Sequence, residues 1–190
     1  MTEQNRSDEL IRLTYCSTAN FESMEKTNGV ELEVARILME SRRNNPKKEI
    51  GGVLHYGNGF FFQALEGKRK DVNERYEKIV KDPRHRDVEL LVVHPVGRRL
   101  FPDWSMKYVA VETRISDLLK KHGKSAFKPY EFNEAFCEEL IQCFVEQADA
   151  SNQEDMQASS PNRINRQPGN RKPDPAPARK SLWGRLFGTR

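Results

Sequence analysis

Two apolar runs, Ile50 to Tyr56 and Phe60 to Glu66, flank Gly57-Asn58-Gly59 in the stretch IGGVLHYGNGFFFQALEG. Glycine and asparagine tolerate positive φ, which the tightest strand-to-strand turns require, so the two runs are predicted to pair as an antiparallel hairpin. The second run reads as a buried strand, yet it carries Gln63 among three phenylalanines, an alanine and a leucine.

The segments around the hairpin follow a regular order. Leu10 to Cys16 alternates as a strand, with Ile11, Leu13 and Tyr15 on its buried face and Arg12 and Thr14 on the other. Val30, Val34, Ile37 and Leu38 fall at i, i+4, i+7 and i+8, a helix that should end near Asn44-Asn45-Pro46. Val72, Tyr76, Ile79 and Val80 repeat that spacing up to Asp82-Pro83. Val88 to Pro95 is a dense apolar strand, and Met106 to Val111 a last one. The order βαββαββ over residues 9–111 predicts an α+β, ferredoxin-like fold: an antiparallel or mixed sheet with two helices on one face.

Residues 112–150 are predicted to be a helical extension. It has a short helix at Ser116 to Lys121 and a longer one at Phe132 to Gln147, striped by Phe136, Leu140, Cys143 and Phe144. Residues 151–190 hold five of the ten prolines and few apolar residues, the composition of a disordered segment. The net charge of +4 belongs to this tail. Eight Lys/Arg there stand against Glu154, Asp155 and Asp174, giving +5, which leaves residues 1–150 at −1.

These totals narrow the function. Cys16, Cys137 and Cys143 are odd in number and lack C-x-x-C spacing, so they are expected to be reduced, buried thiols of a cytoplasmic protein. Gln4 to Glu9 is polar, so no signal peptide is expected, and no apolar run reaches the ~20 residues of a membrane span. His55, His85, His94 and His122 show no metal-ligand spacing. There is no glycine-rich phosphate loop and no nucleophile elbow, so no enzymatic chemistry is expected.

Strand alternation places Phe61, Gln63 and Leu65 on one face, and Phe60, Phe62 and Ala64 on the other. Burying an unpaired amide costs on the order of 1–3 kcal/mol. Taken alone, Gln63 would face solvent or bond a neighbouring backbone group. Its company suggests otherwise. Tyr15 lies on the first strand, which is central in such a fold and adjacent to the third. Asn44 and Asn45 close the first helix, and Trp104 and Met106 open the last strand. Each has an ordinary structural use, Asn45 as a helix C-cap for instance.

LIRLTYCS, SRRNN, IGGVLHYGNGFFFQALEG, DPRHRDVELL and FPDWSMKYV occur in the order found in BLUF domains, blue-light sensors that use flavin, and residues 9–111 resemble that family. The resemblance implies a flavin, FAD or FMN, between the two helices. It implies electron and proton transfer from Tyr15, with Gln63 between phenol and ring rearranging its hydrogen bonds. By position it implies Asn45 at the ring's polar edge with Asn44 beside it, Arg84 and His85 near the second helix in contact with the flavin, and Lys78 toward the phosphates. Trp104 and Met106 become the pair beside the glutamine. Light would then act through the last strand and the helix at 132–147 on an unidentified protein partner, and a homo-oligomer is compatible with this.

Two features depart from the family. The segment between Tyr15 and Gln63 is several residues longer than usual, around Asn20 to Gly29. Ile50-Gly51-Gly52 has glycine where threonine is common, which would loosen that strand. The last residues, 179–190, carry Leu182, Trp183, Leu186 and Phe187 among arginines, read either as weak docking on an anionic membrane or as a solvated tail. The competing reading of the whole is an RNA-binding module, since that fold shares the βαββαβ order and YGNGFFFQAL echoes its aromatic strand. The slightly acidic core speaks against nucleic acid.

Overall fold

The computed structural model describes residues 6–22, 26–27, 30–103, 105–109 and 112–158. The basic segment 179–190 and Trp104 therefore lie outside the described residues. Strand β1 (Leu10–Ala19) is followed by α1 (Leu32–Asn44), β2 (Gly51–Gly57), β3 (Phe60–Lys68), α2 (Arg69–Val80), β4 (His85–Pro95) and β5 (Lys107–Tyr108). Helices α3 (Glu112–Lys121) and α4 (Glu134–Ala158) come last. The main sheet runs β4-β1-β3-β2-β5, antiparallel except for the β2–β5 pair. This is the α+β architecture expected, with β1 central beside β3.

The hairpin closes as its turn residues demand. Gly57 pairs with Phe60, so the loop is Asn58 and Gly59, both at positive φ (53° and 80°). That is the requirement of the two-residue turn whose twist matches the strands.

Both faces of the sheet are buried. Ile11, Leu13, Tyr15, Phe61 and Leu65 pack with Val34, Ile37 and Leu38 of α1 and Val72 of α2. Phe62, Ala64 and Val92 pack on the opposite side with Ile115 and Leu118 of α3 and Phe136, Leu140 and Phe144 of α4. The hydrophobic effect thus holds three layers together, helices–sheet–helices, with roughly 25 cal/mol gained per Å² of apolar surface covered.

Several boundaries differ from the spacing arguments, each for a local reason. β1 is three residues longer than expected, because Ser17 still pairs with Phe61, Thr18 with Phe60 and Arg86, and Ala19 with His85. Val30 precedes α1 in a two-residue ladder with Thr27. Val80 is 47% exposed, being rotated some 80° from Val72 at 100° per residue. Leu90 and Val93 are 47% and 37% exposed because β4 is the sheet's edge and the cover stops short of them. Among the described residues beyond Met106, the ladder of β5 is Lys107 and Tyr108, against Val53 and Leu54. In α4, Cys137 and Ile141 join the buried stripe and Cys143 is half-buried. That helix runs to Ala158, through the expected boundary at 150, since Glu, Gln, Ala and Met prolong a helix cheaply once it has nucleated.

The glycines at the start of β2 do not leave a gap. A Cβ on Gly51 would lie 2.0 Å from the Phe101 carbonyl oxygen, and one on Gly52 would lie 2.4 Å from that of Ala64. The space a side chain would take is filled by the backbone of the β4–β5 loop at Gly51 and of β3 at Gly52. No helix among the described residues is long and apolar enough to cross a membrane.

Candidate functional site

Tyr15 and Gln63 are direct partners in the β1–β3 register, so their side chains project from the same face toward α1 and α2. The Tyr15 hydroxyl donates to Gln63 Oε1 at 2.5 Å, and Gln63 Nε2 donates to Met106 Sδ at 3.2 Å. All three residues are buried. The glutamine in the apolar strand is therefore satisfied at both ends of its amide, by a phenol on one side and a thioether on the other. Burial raises the Tyr15 phenol far above its ordinary pKa, with Tyr76 adding to the effect, so it stays a proton donor.

Around this triad lies a cleft between the sheet and the two helices. Tyr15, Asn44, Asn45, Gln63, Lys78, Arg84 and His85, all named by the resemblance, line it. Asn45 is fully buried at the end of α1, and its Nδ2 donates to the Ser105 carbonyl at 2.7 Å. His85 Nδ1 shares a hydrogen bond with Ser17 Oγ at 2.8 Å. Burial lowers the His85 pKa to about 4, with Arg84 reinforcing and Asp82 opposing, so the ring is neutral at pH 7. Arg84 binds Asp82 through Nη2 at 2.6 Å and Glu40 at 2.7 Å, bridging α1 to the turn after α2. Lys78 pairs with Glu74 one helical turn back.

Sequence reasoning missed Arg75, Glu40 and Ser41, which also line this cleft. Polar residues on a helix flank look like solvated surface, so only the fold could place them.

Two buried polar atoms of the cleft residues have no hydrogen-bond partner: Asn45 Oδ1 and Arg75 Nε. An unpartnered amide oxygen and an unpartnered guanidinium nitrogen are groups that a flavin's ring imide and phosphates would complete. The donor set fits the group.

A buried ionic chain runs from the other face of β3. Glu66, fully buried, accepts from Arg12 Nε at 2.8 Å and from the backbone N–H groups of Leu100 and Phe101 at 2.7 and 3.0 Å. Arg12 Nη1 in turn donates to Glu138 of α4 at 2.8 Å. The loop that leads to Ser105 and Met106 is thus tied both to the glutamine-bearing strand and to α4.

The family profile described as sensors of blue-light using FAD matches residues 10–107. The photo-activated state of BlsA is 33% identical, with a TM-score of 0.66 over 72% of this chain and 94% of its own. The dark-state structure of BlrB, a BLUF protein, is 28% identical with a TM-score of 0.59 over 74% of this chain and 98% of its own. The photoactivated adenylate cyclase subunit beta of Euglena longa is 33% identical over 122 residues, 61% of this chain. The chain spans only 14% of that protein's length.

The fold is that of a flavin-dependent light-sensing domain. The chain belongs to the BLUF family, and the domain is a sensor module rather than a catalytic one.

The RNA-binding reading falls on the same structure. Phe62, which would have to stack on bases, is fully buried beneath the C-terminal helices together with the half-buried Phe60.

Proposed function

We propose that this protein is a blue-light receptor whose switch is the Gln63 amide and whose output is carried by α4. The observation that supports it most is the chain Tyr15–Gln63–Met106, in which one amide is held by two partners of opposite bonding character. A flavin such as FAD, held in this cleft, would supply absorption of blue light and the capacity to accept an electron and a proton. Tyr15 is placed to give them up, its hydroxyl already pointing along a hydrogen bond. Asn45, with its free carbonyl oxygen, and His85 hold the ring side of the cleft, while Arg75, Arg84 and Lys78 offer positive charge for phosphates.

A half-turn or tautomerisation of the amide exchanges its donor and acceptor ends. Rotation would bring Oε1 to the Met106 sulfur, which has no proton to offer, and that contact is lost. Met106 belongs to the segment anchored by Glu66, and Glu66 by way of Arg12 reaches Glu138. The state of the amide is thereby coupled to α4, and a protein partner reads α4. Three cysteines outside any disulfide, two of them fully buried, support a cytoplasmic setting.

The test is a spectrum. Protein expressed with riboflavin supplied should purify yellow, and blue light should shift the flavin band reversibly to the red. Tyr15→Phe and Gln63→Leu should keep the flavin and lose the shift. A colourless protein, or a Gln63→Leu variant that switches normally, refutes the proposal.

A further inference from the structure

The last turn of α1 reaches across to the segment that carries Met106. Asn45 holds the Ser105 carbonyl, and one helical turn earlier Arg42 Nε donates to the Met106 carbonyl at 3.0 Å. Neither SRRNN as a motif nor the stripe of α1 marks Arg42, whose side chain lies on the exposed flank of the helix. On the far side the Met106 methyl lies over Gly52, where a Cβ would stand 3.1 Å from Cε. The thioether is thus confined between a bare backbone and a cationic clamp on its own carbonyl. Its sulfur lies 3.2 Å from Gln63 Nε2.

We infer that Arg42 is a positioning residue of the light switch: by binding the Met106 carbonyl it holds the sulfur where the Gln63 amide can donate to it, and it sets how readily that contact re-forms after illumination. The inference rests on the proposed role of Gln63. Its physical basis is simple. A sulfur is a weak, poorly directional acceptor, so the amide alone fixes Met106 loosely. A guanidinium bound to the backbone fixes the residue from outside the cleft. When the amide turns, the N–H···S contact disappears and Arg42 becomes the contact from α1 that limits how far Met106 departs.

Two measurements on the full chain test this. The first needs no light: ¹³C-methyl methionine spectra of the protein, with the Met106 resonance assigned from Met106→Leu. Arg42→Met removes the donors and should shift and broaden the Met106 methyl resonance. Arg42→Lys, which can still donate, should restore it, and Arg43→Met, which deletes the same charge one residue on, should leave it unchanged. The second is the thermal return after blue light. It should slow roughly fivefold in Arg42→Met, the factor one exposed hydrogen bond represents, and stay within twofold of the parent in Arg42→Lys and Arg43→Met. An unmoved methyl resonance, an unchanged or faster return, or an equal effect from Arg43→Met overturns the inference. If the parent protein shows no red shift, the photochemical reading fails, while the methyl spectra still decide whether Arg42 places Met106.

Discussion

Gln63 presents a hydrogen-bond donor to Met106, with Nε2 and Sδ 3.2 Å apart inside a buried contact. That orientation follows from the other end of the amide. The Tyr15 hydroxyl must donate, since a buried phenol keeps its proton, so the glutamine turns its oxygen to the tyrosine and its nitrogen to the sulfur. The protonation state of one residue therefore dictates what a third residue receives, across two strands and a loop.

His85 should make stability depend on pH. Its folded pKa of about 4 lies below the ordinary 6.5, so on acidification the unfolded chain takes up a proton before the folded one does. The contribution is complete above pH 6.5 and is lost as the pH falls through to 4, in total about 3 kcal/mol. Urea unfolding at pH 7, 6 and 5, compared with His85→Gln, should show the parent losing stability faster. Parallel curves for the two proteins would remove His85 as the cause.

A threonine at position 51 should destabilise this particular chain. Its Cβ would stand 2.0 Å from the Phe101 carbonyl and 2.7 Å from Arg99 Nη2. The β4–β5 loop must withdraw, and with it the two amides that Glu66 holds. Gly51→Thr is expected to cost about 2–3 kcal/mol, seen as a Tm several degrees lower. An unchanged Tm would mean that the loop yields freely.

Glu138→Ala separates sensing from output. Glu138 is 37% exposed in its side chain and remote from the cleft, so flavin binding and the red shift should survive. What should shrink is the light-minus-dark difference in hydrogen exchange of α4, because Arg12 no longer links the helix to Glu66. A difference as large as in the parent would direct the search for the output elsewhere.

The thiols should divide into two classes. Burial pushes Cys16 and Cys137 up to about 12, which leaves on the order of one thiolate in ten thousand at pH 8. Cys143 is half-buried. A maleimide titration of the native protein should label Cys143 first and reach the other two only in denaturant. Rapid labelling of all three would contradict the packing of α4 on the sheet.

Much of this was legible before the fold was known. Alternation put Gln63 on the face opposite Phe62, and the loop Asn58-Gly59 declared its own turn. The strand order followed from alternating periods of two and 3.6. What escaped notice has a common physical character. Arg12 and Glu66 look like exposed charges on a strand, because a periodic pattern cannot say that a second helical layer will bury both faces. Arg42, Glu40 and Arg75 look like solvated helix flanks, since their partners lie far along the chain. The short β5 and the long α4 depend on how far pairing and helix propagation continue, which local composition leaves undetermined. The segment at 179–190 lies outside the described residues.

The second helical layer also limits how this receptor can be reused. The stretch that matches the family ends at residue 107, but Phe62, Ala64 and Val92 are sheltered by helices that come later. A minimal photosensor cut at that point would expose a greasy flank and should clump. Anyone grafting the module onto a new effector must keep the chain through α4 or engineer a substitute roof for the sheet.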